Sequence, residues 1–270
     1  MVIGRNRPEA AIGLDKFNRV SQSEFPTTQT SKMIIYTLLK IFETKNYAEE
    51  FLSGSLYMNT LKYFAEEHVD NAGELRGDSY EGLIGHYQPS QISTLSVNEI
   101  KISGDQLASP ILVHSNNLLA SNVFCMFAVN SGACTELSDE NLDIFRESLK
   151  IPPACHGLGA YCVVLLNTSE FLARCDEALD KLNLPFQRSM VNYFDDQTFH
   201  GRIPEAELGF HKRKRFSVQQ EYRLRVDPVN ELPGPLRLEI GSLKDIAVIV
   251  TPQQFNDGLQ FHPDTLSNTE

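Results

Sequence analysis

Gln219 and Glu221 are the residues of this chain best suited to chemistry on a ligand. They fall two apart in the segment Phe-Ser-Val-Gln-Gln-Glu-Tyr-Arg-Leu-Arg-Val, residues 216–226, whose alternation predicts a β-strand. Phe216, Val218, Gln220, Tyr222, Leu224 and Val226 take one face, and Ser217, Gln219, Glu221, Arg223 and Arg225 the other. A carboxylate and an amide side by side on one strand face suit a site that orients a sugar and its base. Arg223 and Arg225 on that face predict pairing with Glu221, which lowers its pKa and keeps it ionised. Just upstream, Lys212, Arg213, Lys214 and Arg215 are four consecutive cations in a chain of formal net charge -11. Such a block suits phosphate groups at the mouth of a cleft. The plainer alternative for 216–226 is a half-solvated strand of an antiparallel sheet.

A second constellation is Arg76, Asp78 and Glu81, in a loop predicted over 69–85 and pinned by Gly77 and Gly82. Ionic side chains this close suit a clamp on phosphate or ribose. The planar arginine fork accepts two phosphate oxygens, so Arg76 is the better phosphate reader. Tyr57 and Tyr63 have faces that can stack on a base, whereas Phe64 reads as core. The seven histidines include no helical His-x-x-x-His pair, so no metal is expected. No Gly-x-Ser-x-Gly elbow and no Walker-type loop is present.

The elements that position these residues follow from periodicity. Apolar runs predict strands at 33–42, 55–60, 122–130, 159–166, 189–194, 236–240 and 246–250. Strand-like patches fall within 92–113. Helical spacing predicts helices at 46–53, stopped by Gly54, at 138–149 with Ser138 as N-cap, and at 168–182. Strands outnumber helices and do not alternate with them, which argues against a doubly wound parallel sheet. The expected class is α+β, with two packed, mostly antiparallel sheets and inserted helices. Residues 1–30 read as an N-terminal arm, 31–252 as a single domain and 253–270 as a C-terminal tail or short helix.

Composition sets the outer bounds. At 41% hydrophobic and 22% charged residues the chain reads as an ordinary globular protein. The acidic balance argues against a protein that coats nucleic acid, but leaves room for a local basic site. No segment reaches the roughly 18 apolar residues of a membrane span, so no membrane partner is expected. The start of the chain lacks the apolar core of a signal peptide. Five cysteines without a Cys-x-x-Cys suggest reduced thiols and a cytoplasmic location.

The cationic block followed by Phe-Ser-Val-Gln-Gln-Glu-Tyr-Arg-Leu resembles the Phe-x-x-Glu-x-Glu-(Trp/Tyr)-Arg-Leu motif of a bacterial family of unknown function linked to phage defence. It also resembles the Glu-x-Glu or Gln-x-Glu strand of ADP-ribosyltransferases. The order of elements over roughly 33–250 is similar too, though only 212–226 is a specific motif. The resemblance implies the transferase architecture, with NAD bound as substrate in a cleft between the sheets. It implies Glu221 as the catalytic acid and Gln219 as the residue that helps select the acceptor, with a nucleobase favoured. Lys40, Tyr57, Asn59, Arg76 and Asp78 become the expected NAD-binding residues, and Lys212, Arg213, Lys214 and Arg215 the expected nucleic-acid contacts. The first strand departs from the family's pattern: it carries neither Arg nor His, and Lys40 is its only cation. The implied role is an intracellular toxin in phage defence acting on RNA in preference to DNA, with a neutralising antitoxin partner. The alternative expectation is a non-enzymatic nucleic-acid- or protein-binding module on the same fold.

Overall fold

The computed structural model describes residues 33–67, 75–132, 134, 138, 140–229 and 234–260, so the arm expected at 1–30 lies outside the described residues. In chain order the elements are β1 (Ile35–Phe42), α1 (Lys45–Leu52), β2 (Ser55–Thr60), β3 (Leu83–Tyr87), β4 (Thr94–Val97), β5 (Ile100–Ser103), β6 (Ile111–His114) and α2 (Asn116–Leu119). There follow β7 (Asn122–Asn130), α3 (Leu142–Ser148), β8 (Tyr161–Leu165), α4 (Thr168–Lys181), β9 (Phe186–Met190), β10 (Asn192–Phe194), β11 (Gly201–Arg202) and β12 (His211–Arg213). The last are β13 (Glu221–Val226), β14 (Leu236–Glu239), β15 (Ala247–Val250) and α5 (Pro252–Gly258).

The class is α+β with mostly antiparallel pairing. The layering differs from a pair of separate sheets. One eight-stranded sheet is built around β7, and the small sheets β11-β3-β6, β4-β5 and β10-β12 accompany it. On one edge β7 pairs with β13, which in turn pairs with β9. Its other edge is shared. β1 takes the C-terminal part, from Leu39 opposite Phe127 to Ile35 opposite Asn130. β2 takes the start, with Asn59 opposite Val123 and Thr60 opposite Asn122. Among the described residues Phe124, Cys125 and Met126 have no strand partner on that edge, and the sheet forks there. One arm continues β1-β8-β15 and the other β2-β14. The fork has a simple origin: at nine residues, β7 is long enough to carry two partners end to end.

Apolar alternation fixes which faces are buried. Leu38, Phe51, Leu56, Met58, Phe124, Phe171 and Leu224 pack in one cluster, and Leu39, Ile41, Phe127, Val129 and Phe145 in another. α1 begins where the Thr44 hydroxyl accepts from Tyr47 N–H, and its turn into β2 runs through Gly54 at φ 103°. A Cβ at Gly54 would lie 1.9 Å from the Gly241 carbonyl oxygen, so only glycine fits this crossing. α4 is capped by Asn167 and buries Phe171, Cys175 and Leu179, the stripe its spacing predicts.

Several boundaries differ from expectation, among them the strand expected over 189–194, which falls across β9 and β10. α3 starts at Leu142 behind Asn141, because Ser138 donates its backbone N–H to Asn141 Oδ1 instead of capping the helix. The body continues past residue 252: α5 packs Phe255 and Leu259 against the second cluster, and Asn256 exchanges two hydrogen bonds with the Ile151 backbone. The strand expected over 216–226 is strand only from Glu221. Lys214–Gln219 is a 3-10 helix, ended by Gln220 in the left-handed region at φ 39°. No described helix is long and apolar enough to cross a membrane. Cys155, Cys162 and Cys175 are buried free thiols.

Candidate active site

A cavity of about 580 Å³ opens where the sheet forks. Its size falls within the usual span of small-molecule sites, about 300–1,000 Å³. Part of its wall is the unpaired stretch of β7, and Lys40 from β1 lies across that stretch, donating to the Cys125 carbonyl at 2.6 Å. β2 contributes Tyr57 and Asn59, and Glu221 enters from the first position of β13.

Glu221 is only 4% exposed, and each carboxylate oxygen meets a cation. Oε1 accepts from Arg223 at 2.7 Å, and Oε2 from Lys212 at 3.2 Å. Arg223, 1% exposed, also holds Glu81 in a bidentate pair at 2.8 and 2.9 Å and donates to the Gly209 carbonyl. Burial alone would raise the Glu221 carboxyl, but the charges of Arg223 and Lys212 outweigh it and hold the group well below the usual carboxylate range. Burial likewise acts to lower Lys212, and Glu221 and Glu81 overcome it, leaving the ammonium raised. The result is a buried, charge-matched cluster that keeps an anion ionised beside an open cavity.

Gln219 does reach Glu221, though not along a strand. The 3-10 turn and the left-handed Gln220 fold it back, so that Lys212 Nζ bridges Gln219 Oε1 at 2.9 Å and Glu221. Gln219 Nε2 is also occupied, donating to the Leu75 carbonyl at 2.6 Å. Its amide is therefore engaged at both ends, unlike the open donor and acceptor that strand alternation suggests. Arg225, expected to pair with Glu221, instead meets Asp227 at 3.0 Å, because the rise of β13 carries it four residues along the same face, beyond the cavity lining.

The block 212–215 is not a continuous cationic surface. Lys212 and Arg213 are buried, and only Lys214 and Arg215 are exposed. Each buried cation has a carboxylate to neutralise it, which is the condition for burial. Arg213 donates Nε to Asp78 Oδ1 at 2.7 Å and stacks on Tyr80, with Cζ 4.4 Å from the ring centre. Asp78 is itself fully buried and accepts from the Arg213 and Tyr80 backbone N–H groups. It thus ties loop 75–82 to β12, and it is not among the residues that line the cavity. Arg76 does line it, at the rim, where it pairs with the exposed Glu43 and donates to the Leu158 carbonyl at 2.6 Å. Tyr57 also lines it, exposed, with Arg237 5.2 Å from its ring centre. Phe64 packs on the small cluster around Leu61 and Leu119, as a core residue does, while also touching the cavity.

Lys40, Tyr57, Asn59, Arg76, Lys212, Gln219 and Glu221 thus surround one cavity, and Asp78, Arg213, Lys214 and Arg215 stand outside its lining. Sequence reasoning did not single out Cys125 or Tyr193. Cys125 lines the cavity, and its thiol is pushed up to about 12 by burial and by the Glu221 charge. The Tyr193 hydroxyl accepts the Glu221 backbone N–H at 2.9 Å. Neither carries a local pattern: each gains its place from strand pairing across long sequence separations. Among the described residues no group of three or more His, Cys, Asp or Glu is arranged to hold a metal ion.

Comparison with protein-family models, curated proteins and solved structures finds no match to this chain. The geometry of the cavity and the sequence motif are what bear on function.

Proposed function

We propose that this chain is an NAD-dependent ADP-ribosyltransferase with Glu221 as its catalytic residue. One observation carries the reading: the buried carboxylate of Glu221, held ionised by two cations, borders a ligand-sized cavity at the fork of the sheet. In this reaction the bond between ribose C1′ and the nicotinamide nitrogen breaks, and its electron pair leaves with neutral nicotinamide. Positive charge develops at the sugar. The acceptor attacks C1′ and releases a proton. A fixed anion beside that developing charge, out of water, stabilises the transition state by several kcal/mol, to order of magnitude. Lys40 and Arg76 would meet the pyrophosphate, a reading supported by their place in the cavity lining with Tyr57 and Asn59. The acceptor is a nucleic acid, RNA in preference to DNA, and Lys214 and Arg215 are the exposed cations beside the motif that would meet it. The acceptor class, the role as a cytoplasmic phage-defence toxin and the antitoxin partner rest on the resemblance of the 212–226 motif.

A second reading, a binding module without turnover, is favoured by a different observation. Both oxygens of Glu221 and both ends of the Gln219 amide already have partners within the protein. One experiment separates the two. The purified protein is incubated with NAD labelled in its adenylate, together with RNA or DNA, and both nicotinamide release and label on the polymer are measured. Transferase activity gives both signals, and Glu221→Gln abolishes both while the protein still melts cooperatively. NAD hydrolysis gives nicotinamide alone. Absence of nicotinamide release from the unaltered protein, or wild-type release from Glu221→Gln, rejects the transferase.

A further inference from the structure

β12 is three residues long, and its neighbour β10 runs parallel to it with Tyr193 opposite Lys212. These two residues hold Glu221 from two directions. Tyr193 takes its backbone N–H, and Lys212 reaches its side chain. Next along β12, Arg213 is anchored on Asp78, which fixes the short strand from its other face. Lys212 Nζ faces three acceptors at once: Gln219 Oε1 at 2.9 Å, Glu221 Oε2 at 3.2 Å and Glu81 Oε1 at 3.7 Å. The Phe216 ring lies under it, 4.8 Å from Nζ to the centroid. Arg223, Cys125 and Lys40 are further titratable or charged groups that act on it. A compact ammonium with three rotatable donors can serve oxygens that do not share a plane, whereas the donors of a guanidinium all lie in one.

We propose that Lys212 is a positioning residue for the reaction: it aims the Glu221 carboxylate at the cavity and, by holding the Gln219 amide oxygen, turns that amide's nitrogen onto the Leu75 carbonyl. Gln219 then acts as a strap between the cation and the loop that carries Arg76 to the rim, rather than as a reader of the acceptor. The inference rests on the transferase reading above, and it replaces a surface role for Lys212 with one inside the site. Losing the ammonium frees the carboxylate to swing and releases the strap, and a misplacement of about 1 Å at a reacting group costs on the order of a hundredfold in rate.

The test is chemical rescue. Lys212→Ala leaves space beside the cavity for a small primary amine. The expected result is an approximately hundredfold loss of nicotinamide release, partly restored by methylamine or ethylamine and not by an uncharged alcohol of the same size. A melting temperature is recorded for every sample. If Lys212 serves the fold alone, the folded variant turns over at the wild-type rate or gains nothing from amines, and the proposal is overturned. A second readout does not need turnover. With 13C-labelled glutamate, the Glu221 signal, identified by its loss in Glu221→Gln, titrates at higher pH in Lys212→Ala and moves back when the amine is added. An unchanged titration overturns the positioning role even if the unaltered protein proves to release no nicotinamide, an outcome that rejects the transferase reading by itself.

Discussion

Arg223→Met is the substitution most sharply constrained by the structure. Arg223 is 1% exposed and holds two buried carboxylates, Glu81 through both its oxygens and Glu221 through one. Methionine matches much of the stem but removes the charge. Glu81 is then left with Lys212 at 3.7 Å, and Glu221 with Lys212 at 3.2 Å, so one cation serves two anions. Breaking a buried pair by removing one partner costs about 3–5 kcal/mol. For a domain of this size each kcal/mol moves the melting temperature by about 2–4 °C, so the midpoint falls by about 10 °C. The pH dependence has a definite sign. In the unaltered protein Glu221 lies below its unfolded value, so its contribution is present above the unfolded pKa and is lost as pH falls through the folded one. In the variant Glu221 loses the larger of its two compensating charges, so its carboxyl moves up from its depressed native position and its protonation costs less as pH drops. The stability gap between the two proteins is therefore widest at neutral pH and narrows toward pH 4. Urea unfolding at pH 7.5 and pH 4.5 measures it. A gap under about 1 kcal/mol at neutral pH, the worth of an exposed pair, or a gap that widens in acid, refutes the account of a buried charge-matched cluster.

Three further outcomes follow from the same geometry. Cys125 faces the cavity, yet its raised thiol should make it about a thousandfold slower to alkylate at pH 8 than an ordinary cysteine; mass spectrometry after iodoacetamide treatment checks this, and alkylation at the rate of a free thiol contradicts it. Gly159→Ala should cost about 3 kcal/mol, because its φ is 154° and a Cβ would sit 2.1 Å from the Phe42 carbonyl oxygen; wild-type stability in urea would show that the backbone moves aside. Burial holds Lys40 below its ordinary range, so affinity for NAD should begin to fall at lower alkaline pH than a solvated lysine would give. Lys40→Met should bind about tenfold more weakly and lose that pH dependence in calorimetric titration, and equal affinity would remove Lys40 from the site.

The parts of the fold that could be read from sequence are those whose signal is local. β2 and β7 run over the residues their apolar patterns mark, and α4 follows its stripe of Phe171, Cys175 and Leu179. The segment before Glu221 was misleading because two periods overlap in it. Phe216 and Gln219 are both buried and lie three apart, the repeat of a 3-10 turn, while 216–226 also satisfies the alternation of a strand. Only the left-handed backbone at Gln220, set by tertiary packing, resolves the choice. The cationic block was misleading for another reason. A run of four cations reads as surface, but Lys212 and Arg213 find Glu221 and Asp78 across nine and 135 residues of sequence. Glu81 was visible as part of a charged loop, and its bidentate grip on Arg223 depends on a contact 142 residues away.

The bare edge of β7 has one more implication. Along residues 124–126 this edge of β7 carries peptide groups that pair with neither β1 nor β2, and these persist whatever side chains the gene encodes there. Divergence toward a different guest cannot readily rewrite such a wall. It must work instead through the replaceable lip formed by Glu43, Tyr57, Arg76 and Arg237, so tolerance to mutation should be lopsided, with a fixed floor and an adaptable entrance.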